Sequence, residues 1–522
     1  MVYMSQLFVL IVSITCSFVT LAQTPRSIKF EKVPTENGFI SGAQSEDKKV
    51  MIFKGIPYAA PPVGERRWKE PQSVKNWNDV RKCETFGPNA MQGKPVPFAV
   101  YTEEFLIPAK EPIEEDCLYL NVWTGAQSVD EKRPVIVYIH GGAFISGSGS
   151  VPIYDGEAMA RKGIVFVTIN YRLGIFGFFS HPELTRESPH HASGNQGILD
   201  QLAALKWVKK NIAAFGGDPS NVTIAGQSAG AMSVNILDAS PLGRGLFAKM
   251  IAESGANVVK GQFGGIMSLD TGEAKGLQIA KAAGAATLEE LRNTPAEKLL
   301  PLYKGFGTVI VDGYVLPESI PSIFKNGKQA DLPLLTGYNA DDNFFPGPTN
   351  LTAYKENLKK QFGDDSDKVF QLYGANNDEE VKVAANNLSR DAGFGVQNYG
   401  WSRIQSDRAK AKVYLYFFSR KVPEFGGTNK FGAFHTGEVM YAYDNLKFLN
   451  RPLEPADFEL AKLMSSYWVN FAKTGDPNGK GLPVWPDFNK DKGEAMTFDA
   501  ASVATKHPFL AGLEFLYQRA IK

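Results

Sequence analysis

The chain has 522 residues, 43% of them hydrophobic and 21% charged, and its 56 basic and 55 acidic side chains leave a formal net charge of +1. This is the composition of an ordinary globular protein. A near-neutral chain with no long basic run lacks the positive field that nucleic-acid binding needs, so no nucleic-acid partner is expected. Length alone corresponds to about three domains, but no low-complexity linker or repeat divides the sequence, and we expect one domain with long insertions over 23–522. A core of that size needs neither a structural metal nor a disulfide.

In chain order, residues 7–22, LFVLIVSITCSFVTLA, form the one long apolar stretch. It is short for a membrane span. The small residues Thr20 and Ala22 stand where a signal peptidase cuts, which predicts a signal peptide over 1–22 and an exported product, secreted or periplasmic. The first six residues, MVYMSQ, contain no Lys or Arg, so an uncleaved anchor is the alternative. Cleavage removes Cys16 and leaves Cys83 and Cys117, 34 positions apart. A bridge between them would contribute roughly 4 kcal/mol through chain entropy. Two buried thiols are the other reading.

Short apolar runs follow at 134–139 (PVIVYI), 164–170 (IVFVTIN), 222–225 (VTIA), 249–252 (KMIA), 333–336 (PLLT) and 413–418 (VYLYFF). Runs of this kind suit strands buried on both faces. Helical spacing lies between them. In 199–212, Leu202, Leu205 and Val208 share a face, and 457–473 behaves similarly before stopping at Thr474-Gly475-Asp476-Pro477. The alternation predicts an α/β architecture, a large mostly parallel sheet with helices on both faces. Ligands in such sheets bind beyond the carboxyl ends of the strands.

One of those ends is distinctive. Run 222–225 leads into Gly226-Gln227-Ser228-Ala229-Gly230 and then a helical stretch. The glycines remove side chains where strand and helix crowd, and the Ser228 hydroxyl is pushed out above a helix N-terminus, as in a nucleophile elbow. A serine hydroxyl needs a base. In an elbow of this kind the acid and then the histidine follow the serine along the chain. His435, in the loop after 413–418, is the downstream candidate, whereas His507, beside Pro508, reads as a surface residue. The acid belongs in the loop after 333–336, where Asp341 and Asp342 are adjacent and spacing does not choose between them. The loop HGGAF at 140–144 follows an early strand. With Ala229, its Gly142 and Ala143 would supply the N–H donors of an oxyanion hole, and Gly141 lies nearby. His140 reads as a residue that orients this loop.

With these residues in view, the sequence resembles the type-B carboxylesterases, the family that includes cholinesterases and bile-salt-activated lipases. The resemblance runs from about residue 34 to about residue 490, through FKGIPYAAPPVGERRWKEP (53–71), EDCLYLNVW (115–123), HGGAF, NYRLGIFGF (170–178), GNQGILDQLAALKWVKKNIAAFGGDPSNVTIAGQSAG (194–230), GAFHTGE (432–438) and WVNFAKTGDPN (468–478). It implies an α/β-hydrolase fold, Ser228 as acyl-forming nucleophile, His435 as base and then acid, and an acidic residue in GYNADDNF. Alignment of Gly337 and Asn339 with the family pattern favours Asp342, where glutamate is commoner, and leaves Asp341 as the fallback. It implies a supporting hydrogen bond from Ser254 to the acid and histidine. It makes Arg172 and Asp200 framework charges. It also places loop 84–116 at the rim of the site. Gln227 stands where the family often has glutamate, which removes one reason to expect cationic choline esters. The implied activity is hydrolysis of small to medium uncharged esters through a covalent acyl-enzyme, with no cofactor and no metal. A lipase or sterol-ester hydrolase is the alternative, with loop 84–116 and segment 391–401 as an apolar mouth. A non-catalytic binding protein on the same scaffold is the reading from another class. The expected partner is a small-molecule ester, with no stable membrane insertion after signal removal.

Overall fold

The computed structural model describes residues 27–260, 266–343, 347–408, 410–427 and 430–522. The expected signal segment 1–22 lies outside them. Among the described residues no helix is long and apolar enough to cross a membrane.

The centre of the molecule is an eleven-stranded sheet. Its strands, in chain order, are β1 (Ala43–Gln44), β2 (Met51–Pro57), β3 (Tyr119–Thr124), β4 (Arg133–Ile139), β5 (Val165–Ile169), β6 (Gly217–Gln227), β7 (Lys249–Glu253), β8 (Leu334–Asn339), β9 (Val413–Phe418), β10 (Glu494–Phe498) and β11 (Val503–Lys506). Across the sheet they lie in the order β11-β10-β9-β8-β7-β6-β4-β5-β3-β2-β1. Pairing from β5 through β10 is parallel, and the outer strands are antiparallel. All six apolar runs therefore form the parallel part. From β4 the chain goes to β5 on one side and then returns to place β6 on the other. Such a reversal opens a crevice at the carboxyl edge.

Because strand side chains alternate faces, each run feeds two cores. Val135, Val137 and Ile139 face one core with Ile224, Met250, Leu334 and Leu415. Ile136 and Tyr138 face the other with Ala225, Ile251, Leu335 and Tyr416. The first core includes apolar side chains of α1 (Gln196–Asn211) and α2 (Ala229–Ala239), and the second those of α3 (Pro455–Thr474). In α1, Leu202, Leu205 and Val208 are buried while Lys206, Lys209 and Lys210 are exposed, as the spacing predicts. In α2, Met232 alone is only partly buried, so its apolar sequence reflects a helix surrounded by protein.

Two expectations are overturned. Cys83 and Cys117 are free, buried thiols, not a bridge. Cys83 sits in a strand-like contact, its N–H donating to Ser41 and its carbonyl accepting from Lys54. Burial pushes its thiol up to about 12, so it resists becoming a thiolate. His507 is not at the surface. It is buried, with Nε2 3.1 Å from the Tyr338 hydroxyl, and burial, with Arg390 nearby, pulls its pKa down to about 3.

Candidate active site

The register of the parallel strands sets up the site. Gly226 pairs with Ile139, Gln227 with Glu253, and Glu253 with Gly337, so these strands end side by side. The loops that leave that edge carry the residues of interest.

Ser228 follows β6 with φ 59° and ψ −124°, a conformation a non-glycine residue adopts only when its surroundings impose it. Its N–H donates to the Glu253 carbonyl at 2.9 Å and its carbonyl accepts from Met232 at 2.9 Å, which fastens both sides of the turn. A Cβ on Gly230 would lie 2.0 Å from the Ile139 carbonyl oxygen, and one on Gly226 2.5 Å from Gly230. Only glycine lets helix and strands approach this closely. Within 222–230, Asn221's successors are buried except Ser228, which is partly exposed.

The loop after β4 holds its shape through several backbone bonds. Gly142, at φ 104°, accepts from the N–H groups of Ile145 and Ser146, both at 3.0 Å. Ala143 and Phe144 have φ of 55° and 60°, their carbonyls accepting from Gly307 at 2.9 Å and Gly174 at 2.7 Å. Among the described residues, no protein oxygen takes up the N–H of Gly142 or Ala143. The N–H of Ala229, first residue of α2, has no intrahelical acceptor. His140 is buried and stacks on Tyr171, with Nδ1 2.8 Å from the Gly141 carbonyl. Burial pulls its pKa down to about 4. Its contacts are those of a residue that orients this loop.

The two aspartates have separate jobs. Asp342 is 1% exposed, and one carboxylate oxygen pairs with His435 Nδ1 while the other accepts from the Asn339 N–H at 3.2 Å. Asp341 turns away. Its carboxylate accepts from the Ala433 N–H at 2.8 Å, and its own N–H donates to the Ala433 carbonyl at 3.0 Å. Asp341 thus ties the loop after β9 to the loop after β8, and Asn339 adds a bond to the Phe434 carbonyl at 2.8 Å.

His435 is 5% exposed. Phe394 stacks on its ring, centroids 4.7 Å apart at 18°. Its Nε2 lies 3.0 Å from the Gln227 side-chain nitrogen, at the end of β6 and next to Ser228. Nδ1 on a carboxylate leaves Nε2 as the nitrogen able to accept a proton. The arrangement can take a proton from a nearby hydroxyl and hold the resulting imidazolium against Asp342.

Ser254, at φ 53° after β7, is buried, but its hydroxyl has no hydrogen-bond partner among the described residues. The expected bond to the acid and histidine is absent; the backbone contribution is its N–H to the Gly337 carbonyl at 2.8 Å. Behind it two carboxyls are fully buried. Glu253 accepts from the Trp468 indole at 3.0 Å and the Tyr443 hydroxyl at 3.2 Å, and Glu438 accepts from Asn339. Burial, then the nearby Asp342, pushes Glu438 up to about 8. Burial, then Glu438, likewise raises Glu253. Arg172 and Asp200 form a buried, two-pronged ion pair with both contacts at 2.7 Å.

Loop 84–116 reaches the site through Tyr101, whose hydroxyl donates to the His435 carbonyl at 2.8 Å. Its ring packs against Phe98, Phe105 and Phe434. Val96 and Phe98 beside it are 68% and 62% exposed, which gives the outer part of this loop an apolar surface.

The carboxylesterase family profile matches residues 29–515. The chain belongs to the carboxylesterase family. Among its relatives, a fumonisin B1 esterase of Sphingopyxis macrogoltabida is 36% identical over 489 residues, covering 89% of this chain and 85% of that protein. The para-nitrobenzyl esterase of Bacillus subtilis strain 168 is 34% identical over 497 residues, covering 91% and 96%. A solved PNB esterase structure superposes with a TM-score of 0.79 at 30% identity, covering 94% of this chain and 99% of that one. The carboxylesterase Est55 of Geobacillus stearothermophilus gives 0.77 at 33% identity, covering 93% and 100%. This carboxylesterase therefore has the α/β-hydrolase fold, and ester hydrolysis is its class of reaction. The sequence did not point to Asn339, Phe394 or Thr436 as neighbours of the imidazole. Phe394 is brought there by tertiary packing, Thr436 follows the histidine directly in the chain, and the side-chain contacts of Asn339 depend on the loop after β9 folding over it.

Proposed function

We propose that this serine esterase works through Ser228, His435 and Asp342, with N–H donors from Gly142, Ala143 and Ala229. The observation that carries the reading is the imidazole held between the Asp342 carboxylate and the end of β6, one residue from the strained, partly exposed serine. In the first half-reaction His435 Nε2 takes the hydroxyl proton as Ser228 Oγ attacks the ester carbonyl carbon. The carbonyl oxygen becomes an oxyanion that receives the three N–H groups and faces the N-terminus of α2. The tetrahedral intermediate expels the alcohol, which takes the proton from Nε2, and leaves an acyl-serine. In the second half water replaces the alcohol: Nε2 takes its proton, the hydroxide oxygen bonds the acyl carbon, and Ser228 leaves with the proton as the acid is released. None of these steps uses a metal or cofactor.

The substrates are small to medium uncharged esters. Gln227 puts a neutral amide beside the site, and the mouth at Phe98 and Tyr101 is apolar. The exposed Val96 and Phe98 favour a second reading, hydrolysis of long-chain or sterol esters. Export after removal of 1–22 belongs to the same proposal and rests on the apolar stretch 7–22. Turnover of p-nitrophenyl acetate tests the mechanism. Ser228→Ala should lower kcat by about 10⁴-fold or more, and equal, slow hydrolysis by wild type and variant would end the proposal. A p-nitrophenyl series from acetate to palmitate separates the two substrate readings by the chain length at which kcat/KM peaks.

A further inference from the structure

Gln227 makes a contact that the reaction scheme does not use. It is 2% exposed, and its side-chain nitrogen lies 3.0 Å from Nε2 of His435, the nitrogen that must take the serine proton. Its side-chain oxygen accepts from the Thr436 hydroxyl at 3.3 Å. Thr436 is itself 7% exposed and held at φ 77°. The amide thus presents its nitrogen to His435 and its oxygen to Thr436.

An amide N–H can donate only to an unprotonated Nε2. Once Nε2 carries a proton, two N–H groups face each other, and the contact turns unfavourable. If the amide rotates half a turn about its last bond, the oxygen accepts from the imidazolium, and the nitrogen donates to the Thr436 hydroxyl, which both gives and accepts hydrogen bonds. We propose that Gln227 is a positioning residue that holds the unprotonated imidazole in the resting enzyme, yields Nε2 to the Ser228 hydroxyl when substrate binds and, by turning its amide against Thr436, accommodates the imidazolium during turnover. The inference rests on the proposed roles of Ser228 and His435.

Other titratable groups around the imidazole are Asp342 from the loop after β8, Glu438 from its own loop, Glu253 at the end of β7, and Tyr101 from loop 84–116. None of them is altered in the variants compared below.

The test is the pH profile of kcat/KM for p-nitrophenyl acetate in wild type, Gln227→Glu and Gln227→Met, with thermal unfolding to confirm that each is folded. A carboxylate at 227 favours the imidazolium, as opposite charges within hydrogen-bond reach do. The acidic limb of Gln227→Glu should therefore move at least one pH unit upward, with activity recovered on the alkaline side. Gln227→Met keeps the length but removes the donor, and its limb should move upward by less. Folded variants whose limbs coincide with that of wild type, whatever their kcat, overturn the inference. If wild type shows no Ser228-dependent turnover, it is the proposed mechanism that falls, and the two failures are told apart by that control.

Discussion

At the scale of single residues, two adjacent carboxylates do different work because successive side chains leave a loop in different directions. Asp342 pairs with the imidazole, and Asp341 accepts a backbone N–H from the loop that carries it. Asp342→Asn should lower kcat by about 10³–10⁴-fold while leaving the fold intact, since the amide cannot stabilise the imidazolium. Asp341→Ala should cost about 1–3 kcal/mol of stability through the unpaired Ala433 N–H, with less than about a ten-fold change in kcat. Chemical denaturation and p-nitrophenyl acetate kinetics on both variants check this, and reversed effects would exchange the roles. The sequence could narrow the acid to this pair but not divide it. The serine was legible because its glycines have a steric purpose that pattern exposes. The partners of Gln227 and Asn339 were not, because each depends on which of several neighbours a side chain meets across the sheet.

At the scale of elements, the parallel strands were readable as apolar runs because burial on both faces leaves no polar alternation to confuse them. The buried α2 was less so, since a helix apolar all round has no stripe, and its helical character came from its place after the elbow. The free thiols and the buried His507 were missed for a related reason: separation along the chain carries no information about Cα distance or depth. The elbow itself makes a sharp prediction. In Gly230→Ala the new methyl would meet the Ile139 carbonyl oxygen at 2.0 Å, so α2 must shift from β4. The variant should lose about 3 kcal/mol or more and nearly all activity. Gly93→Ala, whose methyl would meet nothing within 4 Å, should match wild type in both thermal unfolding and turnover.

At the scale of the whole molecule, buried titratable groups shape how stability depends on pH. Glu438 has an ordinary value of 4.5 and is raised to about 8 in the fold. Between those values the folded state keeps a proton that the unfolded chain has released, so stability falls as pH rises through that window and levels off above it. In Glu438→Gln, unfolding temperature should decline less between pH 5 and 8 than in wild type; parallel declines would assign the effect elsewhere. His140 and His507 act in the opposite sense. Lowered from 6.5 to about 4 and about 3, they stay neutral where the unfolded chain takes up protons, so stability is lost as pH falls from 6.5 toward 3.

The hydroxyl of Tyr101 joins loop 84–116 to the backbone of His435. The loop and the segment carrying the imidazole are therefore mechanically tied through one phenol. A substitution that displaces Tyr101 will also nudge the His435 ring, so reshaping loop 84–116 and keeping the imidazole in register are one problem, not two.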